Sequence, residues 1–180
     1  YLTGRGIAAG VADRAGIRYC NDLSGLWELA DRKRIKAAGL SSFYVFQKER
    51  LPFLVFPYIR EGTPVFIKGR SLLSKDDADR RQVPRFLNTG GQVPCLWNHD
   101  VVAGADQVMV CEGEIDALTA IIAGYAGVGL PGWSHWKADW TKDFTGKDVI
   151  LVLDGDEAGR KGAQLVAESF IRAGLSVPLQ

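Results

Sequence analysis

The run Asp148-Val149-Ile150-Leu151-Val152-Leu153 leads into Asp154-Gly155-Asp156-Glu157-Ala158-Gly159, and the architecture follows from how these twelve residues are read. A short, unbroken apolar body has the pattern of a strand buried on both faces, as in a parallel sheet. Residues 157–174 then repeat their apolar positions at helical spacing. The same order occurs upstream. Residues 107–111 form a short apolar strand, residues 114–124 a helix ending at a glycine, and residues 126–130 a further strand broken by Pro131-Gly132. Another strand is expected to begin near Leu175. This β-α-β-(α)-β-α-β succession predicts an α/β fold, a Rossmann-like parallel sheet with helices on both faces.

In such sheets the functional edge lies where the strands' carboxyl ends meet, so acidic residues just after apolar strands are candidates for a site. Here residues 107–111 run into Glu112, with Asp116 in the following helical turn, and the later strand runs into Asp154 and Asp156. Residues two apart in extended chain point the same way, so the two aspartates can converge with Glu112. Carboxylates that close repel one another and need a compensating charge. A hard divalent cation supplies it, and Mg²⁺, which takes carboxylate oxygens and leaves room for phosphates, fits an open acidic edge. Acidic residues in first helical turns also favour the helix dipole, which accounts for Glu114 and Glu157 but not for the two strand-end clusters. Gly113, Gly155 and Gly159 are expected to permit tight turns and close backbone approach.

The first half has another texture. Residues 26–38 have the pattern of a helix, and residues 43–46 and 53–59 are rich in aromatic and β-branched residues, the composition of strands. Glu61-Gly62 is the expected turn of a hairpin whose return strand covers residues 64–72, and residues 74–82 are expected to be a charged loop. A small α+β subdomain over residues 1–103 therefore precedes the sheet domain over residues 104–180. Residues 1–105 hold 16 Lys and Arg against 10 Asp and Glu, and residues 106–180 hold 6 against 11. A basic half beside an acidic half suits a phosphate-bearing partner and a metal, although chance sampling of surface charge gives the same split.

Other readings fall away. The apolar runs are too short to span a bilayer, and the first residues lack the order of a signal peptide, so a cytoplasmic protein with no membrane partner is expected. Cys20, Cys95 and Cys111 form no CxxC pair, and Cys95 with His99 offers only two zinc ligands. Residues 127–132 spell GxGxxG, yet a helix precedes them and Pro131-Gly132 follows, against the order of a dinucleotide fingerprint. The stretch from Asp154 places Ala158 and Leu165 where a calcium loop needs ligands. Trp133, Trp136 and Trp140 could stack on bases, but packing on the sheet is the expected role. With a start at Tyr1 without a Met and a strand expected to begin at the end of the chain, the sequence is expected to be a fragment.

Glu112-Gly113-Glu114-Ile115-Asp116 and Asp154 to Gly159 resemble the EGxxD and DxDxxG signature of the TOPRIM family, in order and at strand ends. Residues 1–7 (YLTGRGI) resemble the opening of the polymerase core in DnaG-type primases. Residues 66–70 (FIKGR) are similar to that family's FxGR strand, and residues 84–89 (PRFLNT) to its PKYLNS segment. Arg85 stands where the family usually has Lys, and Gly90-Gly91 where it has Pro-Glu. The resemblance implies a Mg²⁺-dependent core, with Mn²⁺ as a substitute, that makes RNA primers from ribonucleoside triphosphates on a single-stranded DNA template. A replicative helicase in cis or in trans is the implied partner. It further implies that Glu112, Asp154 and Asp156 are catalytic metal ligands, that Asp116 is a secondary one, and that Arg5, Lys68, Arg70, Arg85 and Asn88 bind nucleotide or nucleic acid. The family's later acidic pair would lie beyond Gln180. The alternatives are a TOPRIM nuclease or topoisomerase-like enzyme that cleaves DNA, and a non-catalytic nucleic-acid-binding module.

Overall fold

A computed structural model describes residues 1–24 and 32–175. The chain divides into two compact units, one of Tyr1–Tyr58 with Thr63–Val93 and one of Ile59–Gly62 with Pro94–Gln180. Part of the helix expected over residues 26–38, and nearly all of the strand expected from Leu175, lie outside the described residues.

The first unit carries a sheet of order β1-β2-β3-β4, formed by β1 (Arg18–Cys20), β2 (Phe53–Arg60), β3 (Thr63–Ser71) and β4 (Phe86–Asn88). β4 runs antiparallel to β3 with Lys68 opposite Asn88 and Arg70 opposite Phe86. The hairpin between β2 and β3 turns at Glu61-Gly62, whose φ angles of 50° and 73° are the positive pair that a two-residue turn with the right twist demands. Around the sheet lie the short helices α1 (Ala9–Arg14), α2 (Arg32–Ala37), α3 (Tyr44–Lys48) and α4 (Lys75–Arg81).

Two expectations are corrected here. Residues 43–46 are helical, a 3₁₀ turn over Leu40–Phe43 continuing into α3. The reason is packing: Phe43 and Phe46 are three residues apart, so a helix sends both rings to one face and a strand would send them to opposite faces. Both are buried with Phe53, at ring distances of 5.8 Å from Phe43 and 5.0 Å from Phe46. The charged stretch at residues 74–82 is α4 rather than a loop. Ser74 caps it by accepting from the Asp77 amide at 3.0 Å, Asp76 and Asp77 fill its first turn, Arg80 and Arg81 its last, and Ala78 anchors it in the core.

Gly69 in β3 is held small by the same aromatic group, because a Cβ there would come within 2.3 Å of the Phe43 ring. Gly69→Ala should therefore cost about 1–3 kcal/mol, as overpacking does. Thermal unfolding of Gly69→Ala, and of Gly69→Ala combined with Phe43→Leu, checks this: the smaller side chain at 43 should restore much of the loss.

The second unit is built on a parallel sheet of order β6-β5-β7, with β5 (Gln107–Cys111), β6 (Ala126–Gly129) and β7 (Asp148–Val152). Val110 aligns with Val128 on one side and with Leu151 on the other. Side chains alternate, so Val108, Val110, Val128, Val149 and Leu151 share one face and form a core with Val166, Ala167 and Phe170 of α6 (Glu157–Arg172). The opposite face carries Gly127 and Gly129. A Cβ on Gly127 would meet the Ala117 carbonyl of α5 (Glu114–Ile122) at 2.4 Å, so that helix lies directly on the glycine side. Helices thus cover both faces, as the strand pattern predicted. Trp136 is buried against Phe170, with ring centroids 5.4 Å apart, and against Trp140 at 5.5 Å, so packing accounts for these tryptophans. Among the described residues no helix is long and apolar enough to cross a membrane.

Candidate metal centre and basic cluster

β5 and β7 deliver their acidic residues to the same carboxyl edge. The ladder continues past the strands, with the Glu112 amide donating to the Val152 carbonyl at 3.1 Å. The Asp154 amide then donates to Glu112 Oε2 at 2.8 Å, which ties the carboxylate ending one strand to the backbone ending the other. Asp156 is the N-cap of α6, its Oδ1 accepting from the Gly159 amide at 2.8 Å. Asp116 Oδ2 turns back toward the β5–α5 turn, 3.6 Å from where a Gly113 Cβ would stand.

Partial burial pushes the Glu112 carboxyl above its ordinary value of 4.5; the Asp154 amide opposes this, and the charges of Asp154, Asp156 and Asp116 add to it. Asp154, Asp156 and Asp116 therefore all lie within electrostatic reach of Glu112. Among the described residues no three His, Cys, Asp or Glu side chains are disposed together to hold an ion. The donor chemistry nonetheless fits one. Every group is a hard carboxylate, and Glu112 and Asp156 each spend one oxygen on a backbone amide, so each offers its other oxygen.

A raised carboxyl pKa has a definite sign in stability. The folded state disfavours the Glu112 charge, so that charge costs stability above the folded pKa and the cost disappears as pH falls through it. Glu112→Gln keeps an acceptor for the Asp154 amide and removes the charge. Thermal melts in EDTA should show this variant above wild type at pH 7, with the gap closing on acidification in a window above 4.5. Saturating Mn²⁺ should reverse the order, since a ligand at 100 times its Kd stabilises the protein that binds it by about 2.7 kcal/mol.

Of Gly113, Gly155 and Gly159, the expected close backbone approach is found at Gly159 alone. A Cβ on Gly155 would meet nothing within 4 Å, and one on Gly113 would make only ordinary contact. The close approach falls at Gly159, whose Cβ would stand 2.1 Å from the Asp154 carbonyl oxygen, and at Gly129, whose Cβ would stand 2.9 Å from the Gly113 carbonyl oxygen. The second contact explains the GxGxxG spelling without any dinucleotide: Gly127 and Gly129 make room for α5 and for the turn that carries Glu112. The Cys95 and His99 pairing also dissolves, because His99 Nε2 lies 2.7 Å from Asp143 Oδ2.

In the first unit the basic candidates gather around two aromatic rings. Arg70 lies over Tyr1 at 4.4 Å and over Phe86 at 5.1 Å, Arg5 over Tyr1 at 5.7 Å, Lys68 over Phe86 at 5.2 Å and Arg85 over Phe86 at 5.8 Å. The antiparallel register produces this: Phe86 pairs with Arg70, and Asn88 with Lys68. Arg85 Nε and Asn88 Oδ1 are buried with no hydrogen-bond partner among the described residues, polar atoms suited to a ligand. Tyr1 and Phe86 are the members that sequence reading left out of the site. Phe86 is exposed and fills no core, and only the pairing of β4 with β3 shows what it meets. At position 90 the amide donates to the Gly39 carbonyl at 2.8 Å, a bond that a proline there could not make.

Residues 109–179 match the Toprim-like family, whose domains bind divalent metal ions. The Gene 57 protein of Mycobacterium phage D29 is 36% identical over 92 residues, which cover 50% of this chain and 60% of that protein. The zinc-binding and RNA polymerase domains of the Aquifex aeolicus primase superpose with a TM-score of 0.72 at 19% identity, over 99% of this chain and 48% of that one. The primase fragment of the bacteriophage T7 primase-helicase protein gives a TM-score of 0.66 at 25% identity, over 98% and 62%. The chain thus spans between about half and three fifths of the length of each of these relatives. Residues 109–179 are thus similar to the Toprim-like family, and the chain shares its fold with these two primase structures.

Proposed function

We propose that this chain is the catalytic core of a DNA primase, a nucleotidyltransferase that makes short RNA primers on single-stranded DNA during replication in the cytoplasm. The observation that carries the reading is the bond from the Asp154 amide to Glu112 Oε2, which ties the carboxylate ending one strand to the backbone ending the other within the stretch that matches the Toprim-like family. In this reading residues 1–103 are the α+β subdomain of the core and residues 104–180 the TOPRIM domain. Glu112, Asp154 and Asp156 hold Mg²⁺, or Mn²⁺ in its place, and Asp116 is a secondary or water-mediated ligand. A metal held there would supply charge stabilisation for the attacking and leaving oxygens of phosphoryl transfer.

The chain's own residues position and neutralise. Arg5, Lys68, Arg70 and Arg85 take phosphates of ribonucleoside triphosphates or of the template, by charge-assisted hydrogen bonds, and Asn88 donates to or accepts from a nucleotide. The aromatic rings beneath the cations hold them in place, each such contact contributing about 0.5–2 kcal/mol. The T7 neighbour belongs to a primase-helicase protein, which supports a replicative helicase as partner, in cis or in trans.

The test incubates the chain with Mg²⁺ or Mn²⁺, labelled ribonucleotides and single-stranded DNA, with supercoiled plasmid in a parallel reaction and Asp154→Asn as control. Templated RNA that disappears in the variant is the expected result. Plasmid nicking that disappears in the variant would move the chain to the nuclease and topoisomerase branch. DNA binding without affinity for Mg²⁺ or Mn²⁺ would make it a binding module.

A further inference from the structure

Asp154 and Asp156 stand in an exposed loop between β7 and α6, and their carboxylates can meet one ion only if the backbone between them keeps a single course. Side chains fix that loop at its two ends. The Asp154 amide donates to Glu112 Oε2 at 2.8 Å, and the Gly159 amide donates to Asp156 Oδ1 at 2.8 Å. The middle is held by another residue, because Arg160 Nη1 donates to the carbonyl of Gly155.

The helix explains how Arg160 reaches back. Its own amide donates to the Asp156 carbonyl at 3.0 Å, which places residue 160 one turn above the loop. Side chains on a helix lean toward its N-terminus, so the guanidinium returns over Gly155. Lys161, the next residue, turns instead to Glu157, Nζ to Oε1 at 2.7 Å.

The middle of the loop needs a tether. Gly155 is exposed, and a Cβ there would meet nothing within 4 Å, so packing does not hold it. Glycine is also the residue with most backbone freedom. A peptide group moves as one plane, so a bond to the Gly155 carbonyl orients the Asp156 amide as well. Both end bonds run through carboxylates that an ion would also engage. Arg160 acts through a carbonyl and leaves every carboxylate free.

The geometry points to Arg160 as a positioning residue for the metal centre: it fixes the Gly155 peptide, and with it the spacing of Asp154 and Asp156, before an ion arrives. The inference rests on the reading of those aspartates as metal ligands and adds the residue that prepares them. Ligands already arranged bind more tightly than ligands the ion must order, because the ordering cost is met in advance. The charge of Arg160 acts the other way, by repelling a cation. It is exposed, and at an ionic strength of about 0.15 M charges are screened over about 8 Å. Removing the side chain therefore weakens metal binding if it positions the loop, and tightens binding if it is only a charge.

The experiment compares the parent chain with Arg160→Met and Lys161→Met. Amide hydrogen exchange at Asp154 and Gly159 is read by NMR in EDTA, and Mn²⁺ binding by calorimetric titration at about 0.15 M ionic strength. In Arg160→Met both amides should exchange faster and Mn²⁺ should bind about fivefold more weakly, the scale of one net hydrogen bond. The melting temperature should stay near that of the parent, since the side chain is exposed. Lys161→Met removes a charge one residue on without freeing the loop, so exchange should be unchanged and Mn²⁺ binding equal or tighter. Exchange in Arg160→Met as slow as in the parent, or Mn²⁺ binding as tight or tighter, would overturn the inference. A parent chain that binds no Mn²⁺ would defeat the metal reading instead, and exchange at the two amides would still decide whether Arg160 holds the loop.

Discussion

Gly159→Ala is expected to unfold at a lower temperature than the parent chain and to lose divalent-metal affinity, while Gly155→Ala, four residues earlier, behaves as wild type. At position 159 an added Cβ would stand 2.1 Å from the Asp154 carbonyl oxygen and 2.8 Å from the Asp154 carbonyl carbon. Both are backbone atoms, so no rotamer change relieves the contact. α6 must move away from the end of β7, and that movement stretches the bond from the Gly159 amide to Asp156 Oδ1. Alanine returns up to about 1 kcal/mol through its better helix propensity. Overpacking costs about 1–3 kcal/mol and occasionally more, and here the obstacle is rigid. The net loss should be about 2 kcal/mol, or roughly 4–8 °C in Tm for a domain of this size. Thermal melts of both variants, with Mn²⁺ titration, decide the matter: equal melting of Gly159→Ala and Gly155→Ala would refute the close-approach argument.

That contrast also shows what could be read from the sequence. The parallel strands and both long helices of the second unit were legible because buried strands read as unbroken apolar runs and their helices carry regular apolar periods. The strand-end acids were legible for the same reason, since the ends of such strands are easy to locate. Which glycine mattered was not legible, because Gly155 and Gly159 look alike in a motif and differ only in what passes within 3 Å of them. The segment at residues 43–46 misled because aromatic composition suits a strand, whereas a three-residue spacing toward one core suits a helix. α4 was passed over as a charged loop although Ser74 and Asp77 spell a cap, because a single buried alanine is a faint apolar signal. In the basic cluster the cations were found through motif resemblance, but Tyr1 and Phe86 were not. Their role depends on cross-strand register, which brings Arg70 opposite Phe86 and is not written in local sequence.

The largest effect is expected from the aspartates themselves, and Asp156 separates chemistry from folding. Asp154→Asn and Asp156→Asn should each reduce metal-dependent primer synthesis by about a thousandfold or more. A metal's stabilisation of transition-state charge amounts to several kcal/mol, and each 1.36 kcal/mol is a factor of about ten in rate. An amide is a weak ligand for a hard dication, so the loss follows from removing a charge without removing volume. At position 156 the asparagine oxygen can still accept from the Gly159 amide, as Asp156 Oδ1 does at 2.8 Å, so the N-cap survives and the melting temperature should stay near wild type. Asp156→Ala removes charge and cap together. It should lose the same activity and, in addition, about 1 kcal/mol of stability, or roughly 2–4 °C. Activity and melting measured on the same three proteins therefore divide the two roles of one side chain. Full activity in Asp156→Asn would reduce this residue to a helix cap and leave Glu112 and Asp154, joined through their shared hydrogen bond, to account for any metal binding alone.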